Sequence, residues 1–269
     1  MKTFVLDLDI CNGCYCCQIA CKDEHVGNDW MPYARPQPDT GQFWIRLNET
    51  TRGTVPKVRV SYFPQMCLHC EDAPCMQICA PKAIYRRADG LIIVDPDKCT
   101  GCKLCPDACP HEALFFNEGM NLAQKCTGCA HLLDDGWDVP RCVDACASGA
   151  LRFGEEAELQ ELIAKAEEPP KGCKGRVFYI NRPKTFVAGT LYDPIEKEVI
   201  IGATCTLTDK VSRETYRVET DGFGDFWFEG LPDGRTFSLK LEKDGKSRSI
   251  DAIDAAKDVN LGDIPMGMS

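Results

Sequence analysis

Apolar and polar residues alternate in short runs along the last third of the chain. Examples are VIIGATCTLTD, ETYRVETD and TFSLKLEKDG, and Asp-Gly or Pro-Asp-Gly turns separate the runs. Successive side chains of a strand point to opposite faces of a sheet, so this pattern predicts half-buried strands joined by tight turns. We therefore expect an antiparallel β-sandwich or barrel over residues 185–269.

Two short apolar runs in the first half of the chain predict a β-hairpin. They lie within AIYRRADGLIIVDPDKC, where Asp89 and Gly90 turn the chain between them. The second run, LIIV at 91–94, is expected to be a strand. No apolar run approaches the ~18 residues that a membrane-spanning helix requires.

A helical pattern, GEEAELQELIAKAEEPP, separates these two regions. Leu159, Leu162 and Ile163 recur at helical spacing, and the Pro169–Pro170 pair is a stop signal. We predict one amphipathic helix here, followed by a linker.

Most of the nineteen cysteines group into quartets. The first and third quartets have the spacing C-x2-C-x2-C-x3-C, the second widens one gap to four residues, and the fourth widens one to twelve. The quartets are Cys11, Cys14, Cys17 and Cys21; Cys67, Cys70, Cys75 and Cys79; Cys99, Cys102, Cys105 and Cys109; and Cys126, Cys129, Cys142 and Cys146. This cysteine spacing is typical of bacterial ferredoxins, whose thiolates hold cubane iron–sulfur clusters.

Two other uses of cysteine compete with clusters as an interpretation. Structural zinc also takes C-x2-C pairs, but it usually uses two pairs separated by a spacer. Disulfide frameworks are typical of short secreted chains, whereas this chain has 269 residues and its start does not resemble a signal peptide. Cys16, Cys173 and Cys205 lie outside the quartets, and we expect them to be ordinary buried thiols.

Charge and the start of the chain narrow the function classes. The formal net charge of −10 argues against nucleic-acid binding, which requires a basic surface. Nothing at the start resembles a signal peptide, so a cytoplasmic protein is expected. Export together with a signal-bearing partner is left open.

A long insertion at residues 22–66 carries Trp30, Tyr33, Phe43 and Trp44. Such aromatics either cap the clusters or contact a partner, and we favour the partner because aromatic residues are enriched at interfaces.

Four histidines and three lysines near the quartets are further candidates. We expect the histidines to donate hydrogen bonds near clusters, and the lysines either to offset negative charge or to be solvated. They are His25, His69, His111 and His131, and Lys98, Lys103 and Lys125.

Three segments resemble the double-ferredoxin subunits of molybdopterin enzymes of the dimethyl-sulfoxide-reductase class. They are CLHCEDAPCMQIC, DPDKCTGCKLCPDACP and KCTGCAHLLDDGWDVPRCVDAC. In that family the closing cysteine of each quartet crosses to the paired cluster, and the outer two quartets pair, as do the inner two. The resemblance therefore implies four [4Fe–4S] clusters. The implied ligand sets are Cys11, Cys14, Cys17 and Cys146; Cys126, Cys129, Cys142 and Cys21; Cys67, Cys70, Cys75 and Cys109; and Cys99, Cys102, Cys105 and Cys79.

A narrower resemblance covers nearly the whole chain. CKDEHVGNDW, AQKCTGCAHLLDD and the β-module are similar to the small-subunit family of pyrogallol–phloroglucinol transhydroxylases and related phenol hydroxylases and dehydroxylases. Through GATCTLTD and TDGFGDFWFEGLPDG, the β-module itself resembles the transthyretin-like or carboxypeptidase-regulatory-like fold.

This resemblance implies a non-catalytic electron-transfer subunit that pairs with a large partner, in a heterodimer or a multiple of one. The partner would carry molybdenum in a bis-molybdopterin guanine dinucleotide cofactor and act on a polyhydroxylated aromatic compound. An external electron carrier is a further candidate partner. Because every quartet cysteine is present, a reaction in which electrons enter or leave is favoured.

The predicted fold class is α+β, with two ferredoxin-like units followed by the β-module. Residues 1–153 form the four-cluster domain, which includes an inner ferredoxin unit at 66–115. Residues 154–184 form the helix and linker, and residues 185–269 form the β-module.

Two other functions stay open. The chain could be the electron-transfer subunit of a different molybdenum or tungsten oxidoreductase, against which the β-module and CKDEHVGNDW argue. It could also be a free-standing polyferredoxin or a zinc-bound interaction module, which would not need the aromatic insertion.

Overall fold

Strands of two to ten residues and helices of four to ten residues make up the chain, whose computed structural model describes residues 1–167 and 173–266. The helices are α1 (Cys16–His25), α2 (Pro74–Gln77), α3 (Leu104–Asp107), α4 (Ala130–Asp134), α5 (Arg141–Asp144) and α6 (Gln160–Ile163). The strands are β1 (Lys2–Asp7), β2 (Ile45–Thr54), β3 (Lys57–Met66), β4 (Ile84–Arg86), β5 (Ile92–Val94), β6 (Leu114–Asn117), β7 (Leu122–Lys125), β8 (Leu151–Glu155), β9 (Val177–Ile180), β10 (Thr185–Asp193), β11 (Glu198–Val199), β12 (Thr204–Asp209), β13 (Thr215–Glu219), β14 (Asp225–Leu231), β15 (Arg235–Lys243), β16 (Lys246–Ala255) and β17 (Val259–Pro265).

The chain divides into two units, each with its own hydrophobic core. The first unit comprises Met1–Glu49 and Tyr62–Arg182, and the second comprises Thr50–Ser61 and Pro183–Ser269. The outer part of the β2–β3 hairpin thus belongs to the second unit, which the sequence pattern did not predict.

Strand β1 lies at the centre of a three-stranded sheet in the first unit. It pairs antiparallel with β8, where Leu6 is opposite Leu151, and parallel with β9, where Leu6 is opposite Tyr179. Phe4 and Leu6 are almost fully buried, which stabilises the sheet by removing apolar surface from water. The sheet brings the start of the chain next to residues that follow the last cysteine quartet.

Two small hairpins lie between quartets: β4–β5 joins the second quartet to the third, and β6–β7 joins the third to the fourth. In the first hairpin, Asp89 Oδ1 accepts a hydrogen bond of 3.0 Å from the N–H of Leu91, and Gly90 has a φ of +92°. A positive φ strains any residue with a Cβ, which explains the glycine. The predicted hairpin and its second strand are confirmed.

The helix predicted from GEEAELQELIAKAEEPP is wrong for most of its length. Strand β8 continues to Glu155, which pairs with Lys2, and only α6 is helical. No side chain of α6 is buried, so the apolar stripe has no core to stabilise a longer helix. The Pro169–Pro170 stop lies outside the described residues.

The linker prediction is also incomplete, because β9 lies inside it. Val177, Tyr179 and Ile180 are buried where β9 pairs with β1. The apolar run VFYI was the available sequence signal, and its partner lies at the other end of the unit.

The second unit contains two four-stranded sheets over one core. One has the order β11-β10-β14 with β17 beside β10, and the other has the order β13-β12-β15-β16. Their buried side chains form a single cluster that includes Val187, Phe226, Leu207 and Leu239. The alternating burial of β12 matches the predicted half-buried strand.

One pair in this unit departs from the expected antiparallel arrangement. β17 runs parallel to β10, with Val187 opposite Val259. The chain changes sheets between β16 and β17, so no hairpin forces the new strand to be antiparallel to its neighbour.

Across the described residues, no helix has the length and apolar character needed to span a membrane.

Candidate iron–sulfur centres

Four cysteines from distant parts of the first unit line one cavity. Its cysteines are Cys11, Cys14, Cys17 and Cys146. Cys11 and Cys14 follow β1, Cys17 lies in the first turn of α1, and Cys146 lies between α5 and β8. The pairing of β1 with β8 explains why the last of them meets the first three.

The loop that carries the first three cysteines is tightly folded. Tyr15 has a φ of +62° and Gly13 a φ of +72°. A Cβ at Gly13 would collide with the ring of Tyr62. Glycine is therefore required here both by the backbone conformation and by the packing.

A second cavity is lined by Cys67, Cys70, Cys75 and Cys109. Its first three cysteines come from one quartet and the fourth closes the next quartet along the chain. His69 and Lys125 also line its wall.

A third cavity has the reciprocal arrangement. Cys99, Cys102 and Cys105 line it together with Cys79, which closes the preceding quartet. The inner two quartets thus exchange their closing cysteines.

The remaining four cysteines form a buried group. They are Cys21, Cys126, Cys129 and Cys142. Burial raises the pKa of Cys142 well above its usual value, and the charges of Cys129, Cys21 and Cys126 raise it further. Burial and the charges of Cys126 and Cys129 raise the pKa of Cys21 as well. Cys21 therefore lies with the quartet that begins at Cys126.

Several backbone N–H groups point at cysteine sulfurs. Gly128 donates to Sγ of Cys126 at 3.3 Å, and Leu151 donates to Sγ of Cys146 at 3.3 Å. Hydrogen bonds to sulfur stabilise a thiolate and influence the reduction potential of a bound cluster.

These thiols are poorly suited to be charged without a cationic partner. Burial, with the charges of neighbouring cysteines, raises the pKa of Cys17, Cys70 and Cys105 to about 12. Iron ions would supply the positive charge that four close thiolates need, since metal ligation requires the deprotonated form.

His69 provides an independent test of the second cavity. Its Nδ1 accepts the N–H of Ile92 at 2.9 Å, so its proton lies on Nε2. That buried Nε2 has no hydrogen-bond partner within residues 1–167 and 173–266. A cluster sulfur in the cavity would provide an acceptor, so the residues present fit a cubane cluster.

Within the described ranges, no three His, Cys, Asp or Glu side chains converge on a point where one ion would bind. A cubane cluster has a separate thiolate for each of its four irons, so its ligands surround a larger object.

The aromatic insertion lies against the first unit's own histidines. Trp44 is 2% exposed and packs on His25, and Trp30 stacks on His131 with ring centroids 4.4 Å apart. The expectation of partner contact is wrong for Trp44, which is buried against His25. Trp30, Tyr33 and Phe43 are half-buried, so for them partner contact stays a prediction.

A polar group also lies beside the quartet that begins at Cys126. His131 Nε2 is 3.0 Å from Glu24 Oε1, and Arg141 is 3.2 Å from the other oxygen of that carboxylate. Glu24, in α1, therefore links this helix to α4 and α5. Helix α4 begins directly after Cys129, and α5 contains Cys142.

The cysteines outside the quartets differ in exposure. Cys205 is buried in the second unit, as expected. The expectation of a buried thiol is wrong for Cys16, which is exposed, and Cys173 is half-buried. Cys16 is the first residue of α1. The quartet cysteines before and after it, Cys14 and Cys17, line the cavity, whereas Cys16 does not.

Sequence reasoning missed the ring of Tyr62 beneath Gly13 and the hydroxyl of Ser148, which lies 3.8 Å from Sγ of Cys146. Neither residue belongs to a motif, so no local signal identified it.

Comparisons with known proteins agree with this chemistry. A family model described as a 4Fe-4S dicluster domain matches residues 58–156. The small subunit of pyrogallol hydroxytransferase from Pelobacter acidigallici is 36% identical over 97% of this chain and 98% of its own. One subunit of the Allochromatium vinosum sulfite dehydrogenase is 35% identical, over 67% of this chain and 83% of its own. The arsenate respiratory reductase iron–sulfur subunit of a Shewanella species is 30% identical, over 70% of this chain and 98% of its own.

Likenesses to solved structures are weaker. Klebsiella pneumoniae 5-hydroxyisourate hydrolase matches 31% of this chain and 93% of its own at 17% identity, with a TM-score of 0.26. A score this low does not establish a shared fold.

Proposed function

The chain belongs to the family of iron–sulfur electron-transfer subunits of molybdopterin oxidoreductases, and we propose that its catalytic partner acts on a polyhydroxylated aromatic compound. In this family the catalytic molybdenum site is on a separate large subunit. The chain therefore contributes electron transfer and no catalytic residue.

Four [4Fe–4S] clusters are proposed, each held by three cysteines of one quartet and the closing cysteine of another. The ligand sets are Cys11, Cys14, Cys17 and Cys146; Cys126, Cys129, Cys142 and Cys21; Cys67, Cys70, Cys75 and Cys109; and Cys99, Cys102, Cys105 and Cys79. The observation that carries this proposal is that three of these sets each line a single cavity. The dicluster match and the unpaired Nε2 of His69 support the same proposal.

When bound, such clusters supply one-electron redox chemistry at potentials set by their surroundings. The protein's own contribution is to hold and tune them. Apolar side chains such as Ile92 and Leu114 line the cavity walls, backbone N–H groups of residues such as Gly128 donate to ligand sulfurs, and tight loops orient the thiolates.

The substrate class rests on the extent of the likeness. The small subunit of pyrogallol hydroxytransferase matches 97% of this chain, whereas the sulfite dehydrogenase and arsenate reductase subunits match 67% and 70%. Pyrogallol is a polyhydroxylated benzene. We propose that the large partner carries molybdenum in a bis-molybdopterin guanine dinucleotide cofactor, in a cytoplasmic heterodimer or a multiple of one.

The two sheets of the second unit support a transthyretin-like sandwich with a docking or structural role. Residues 1–153 are proposed to be the four-cluster domain, in which 66–115 is the inner ferredoxin unit, and residues 185–269 the sandwich.

A second candidate is the same electron-transfer role beside a catalytic subunit for an inorganic oxyanion. The similarity to the sulfite dehydrogenase and arsenate reductase subunits favours it. The two candidates differ only in the partner's substrate.

The test begins with the native complex, purified anaerobically and analysed for metals per mole of this chain. Four cubanes predict about sixteen iron from this subunit, with about one molybdenum from a co-purifying large chain. The complex with oxidised clusters is then mixed with pyrogallol or resorcinol, and separately with sulfite, each as an electron donor. The complex with dithionite-reduced clusters is mixed with catechol, and separately with arsenate, each as an electron acceptor, while the visible absorbance of the clusters is followed.

A change in cluster absorbance with a phenol alone supports the proposed substrate class. A response to sulfite or arsenate alone favours the second candidate. Zinc in place of iron, or the absence of molybdenum and a large chain, would contradict the proposal.

A further inference from the structure

Four lysines lie next to quartet cysteines in the sequence, namely Lys22, Lys98, Lys103 and Lys125, and of these only Lys125 is buried. The side chains of Lys98 and Lys103 are 61% and 53% exposed, and they pair with Asp95 at 2.8 Å and Glu118 at 2.7 Å. Lys125 is 2% exposed. Exposed, paired lysines are ordinary surface residues, whereas a buried lysine requires an explanation.

Lys125 ends strand β7 and immediately precedes Cys126. Its Nζ donates hydrogen bonds to the carbonyl oxygen of Ile92 and, at 2.8 Å, to that of Cys126. The same side chain lines the cavity that contains Cys67 and Cys75. It therefore lies between that cavity and the buried group of cysteines that begins at Cys126.

No carboxylate pairs with Lys125 anywhere in residues 1–167 and 173–266. Its ammonium instead donates to two carbonyl oxygens, and its side chain lines the cavity that contains Cys67 and Cys75. An isolated buried ammonium is costly, and the thiolates of the two cysteine groups beside it would supply the negative charge that balances it.

We infer that Lys125 is a buried cation shared by two neighbouring clusters and that it raises the reduction potentials of both. The inference rests on the proposed function for the two ligand sets. One set is Cys67, Cys70, Cys75 and Cys109, and the other is Cys126, Cys129, Cys142 and Cys21.

The physical reason is electrostatic. A cubane with four thiolates is negatively charged, and reduction adds another negative charge. A fixed positive charge in a water-poor environment stabilises the reduced form more than the oxidised form. Because Lys125 lies between an inner and an outer quartet, it influences both clusters where electrons pass from one pair to the other.

The test uses the full-length chain in its native complex, with Lys125→Met compared with Lys98→Met and Lys103→Met. Methionine preserves most of the length of the lysine side chain and removes its positive charge. Iron content is measured first, and the midpoint potentials of all four clusters are then measured by redox titration followed by electron paramagnetic resonance.

In Lys125→Met we expect an unchanged iron content and two potentials shifted to more negative values. A tenfold change in each reduction equilibrium corresponds to about 59 mV for one electron. The two control variants should leave all four potentials in place, and Lys125→Arg, which retains the charge, should do the same.

The inference is overturned if Lys125→Met keeps its iron and all four midpoint potentials stay in place, or if only one potential shifts. Such a result would leave the proposal of four clusters intact. A shift in Lys125→Arg as large as that in Lys125→Met would indicate packing rather than charge and would also overturn it. Wild-type complex without iron would instead overturn the proposed function.

If Lys125→Met does not load iron, a second measurement replaces it. Protein grown with lysine labelled with ¹⁵N at the side-chain nitrogen should show electron–nuclear coupling to two reduced clusters. The coupling should vanish in Lys125→Arg and persist in Lys98→Met and Lys103→Met. Absence of the coupling in the labelled wild type would exclude the shared position.

Discussion

Nε2 of His25 lies 3.9 Å from Sγ of Cys129, and both residues are buried. Burial and the neighbouring His131 lower the pKa of His25 to about 3, so its ring is neutral near pH 7. Any effect of His25 on a cluster bound by Cys129 is therefore that of a hydrogen bond and not of a charge.

We predict that His25→Phe makes the potential of that one cluster more negative. Phenylalanine keeps a ring against Trp44 but cannot donate to the sulfur. If the hydrogen bond is worth about 1 kcal/mol more in the reduced state, the shift is about 40 mV. Redox titration of the variant measures it.

His131→Gln is the matched control, because Nε2 of His131 contacts Glu24 instead. It should leave the same potential nearly unchanged. Equal shifts in both variants would show that general disturbance of the site, and not the hydrogen bond, is responsible.

A second prediction concerns the crossing of ligands between quartets. Cys109→Ala and Cys67→Ala should abolish the same cluster signal, because the two residues line one cavity. Cys99→Ala should affect a different signal, although Cys99 and Cys109 belong to one quartet of the sequence.

The measurement is electron paramagnetic resonance of each reduced variant, with iron determined per chain. Cys16→Ala provides a control, since Cys16 is exposed and lies outside the quartets. Loss of the same cluster signal in both Cys99→Ala and Cys109→Ala would show that the quartets do not exchange their closing cysteines.

Removal of iron should loosen the first unit and leave the second intact. Cysteines form much of the first core, and burial raises the pKa of Cys126 to about 11 and that of Cys129 to about 12. Metal binding is therefore coupled to folding there. The core of the second unit is made of side chains such as Phe226 and Leu239.

Hydrogen–deuterium exchange before and after anaerobic chelation tests this prediction. Peptides from residues 62–155 should exchange faster after iron is removed, and peptides from 185–266 should not change. Equal acceleration in both regions would mean that the second unit depends on the clusters.

Arg52 and Asp258 are predicted to stabilise the second unit. Their side chains are 19% and 10% exposed and form two hydrogen bonds, of 2.9 and 2.7 Å. The same carboxylate accepts the N–H of Phe186 at 3.1 Å. Asp258→Asn removes the charge from a bidentate pair and should cost about 2–3 kcal/mol.

The control is Glu229→Gln, because Glu229 pairs with Arg59 in an exposed position and should contribute about 0.5 kcal/mol or less. Urea dependence of hydrogen exchange in residues 185–266 measures both variants. Equal costs for the two would contradict the special role of the partly buried pair.

The sequence by itself determined the features that local spacing controls. Three cysteines within one loop and the turn at Asp89 and Gly90 need no distant partner, so their grouping and the hairpin could be predicted. Strand alternation likewise predicted the two-faced strands of the second unit, since burial of one face of a sheet produces that period. The family resemblance, rather than the spacing, implied which closing cysteine joins each loop.

Only the tertiary structure decided the contacts between distant segments. Cys146 reaches the cavity of Cys11 because β8 pairs with β1. The same sequence context surrounds Lys98 and Lys125, yet one is solvated and the other lies between two groups of cysteines. Burial depends on what the rest of the chain packs against a residue, and neighbours in sequence do not specify it.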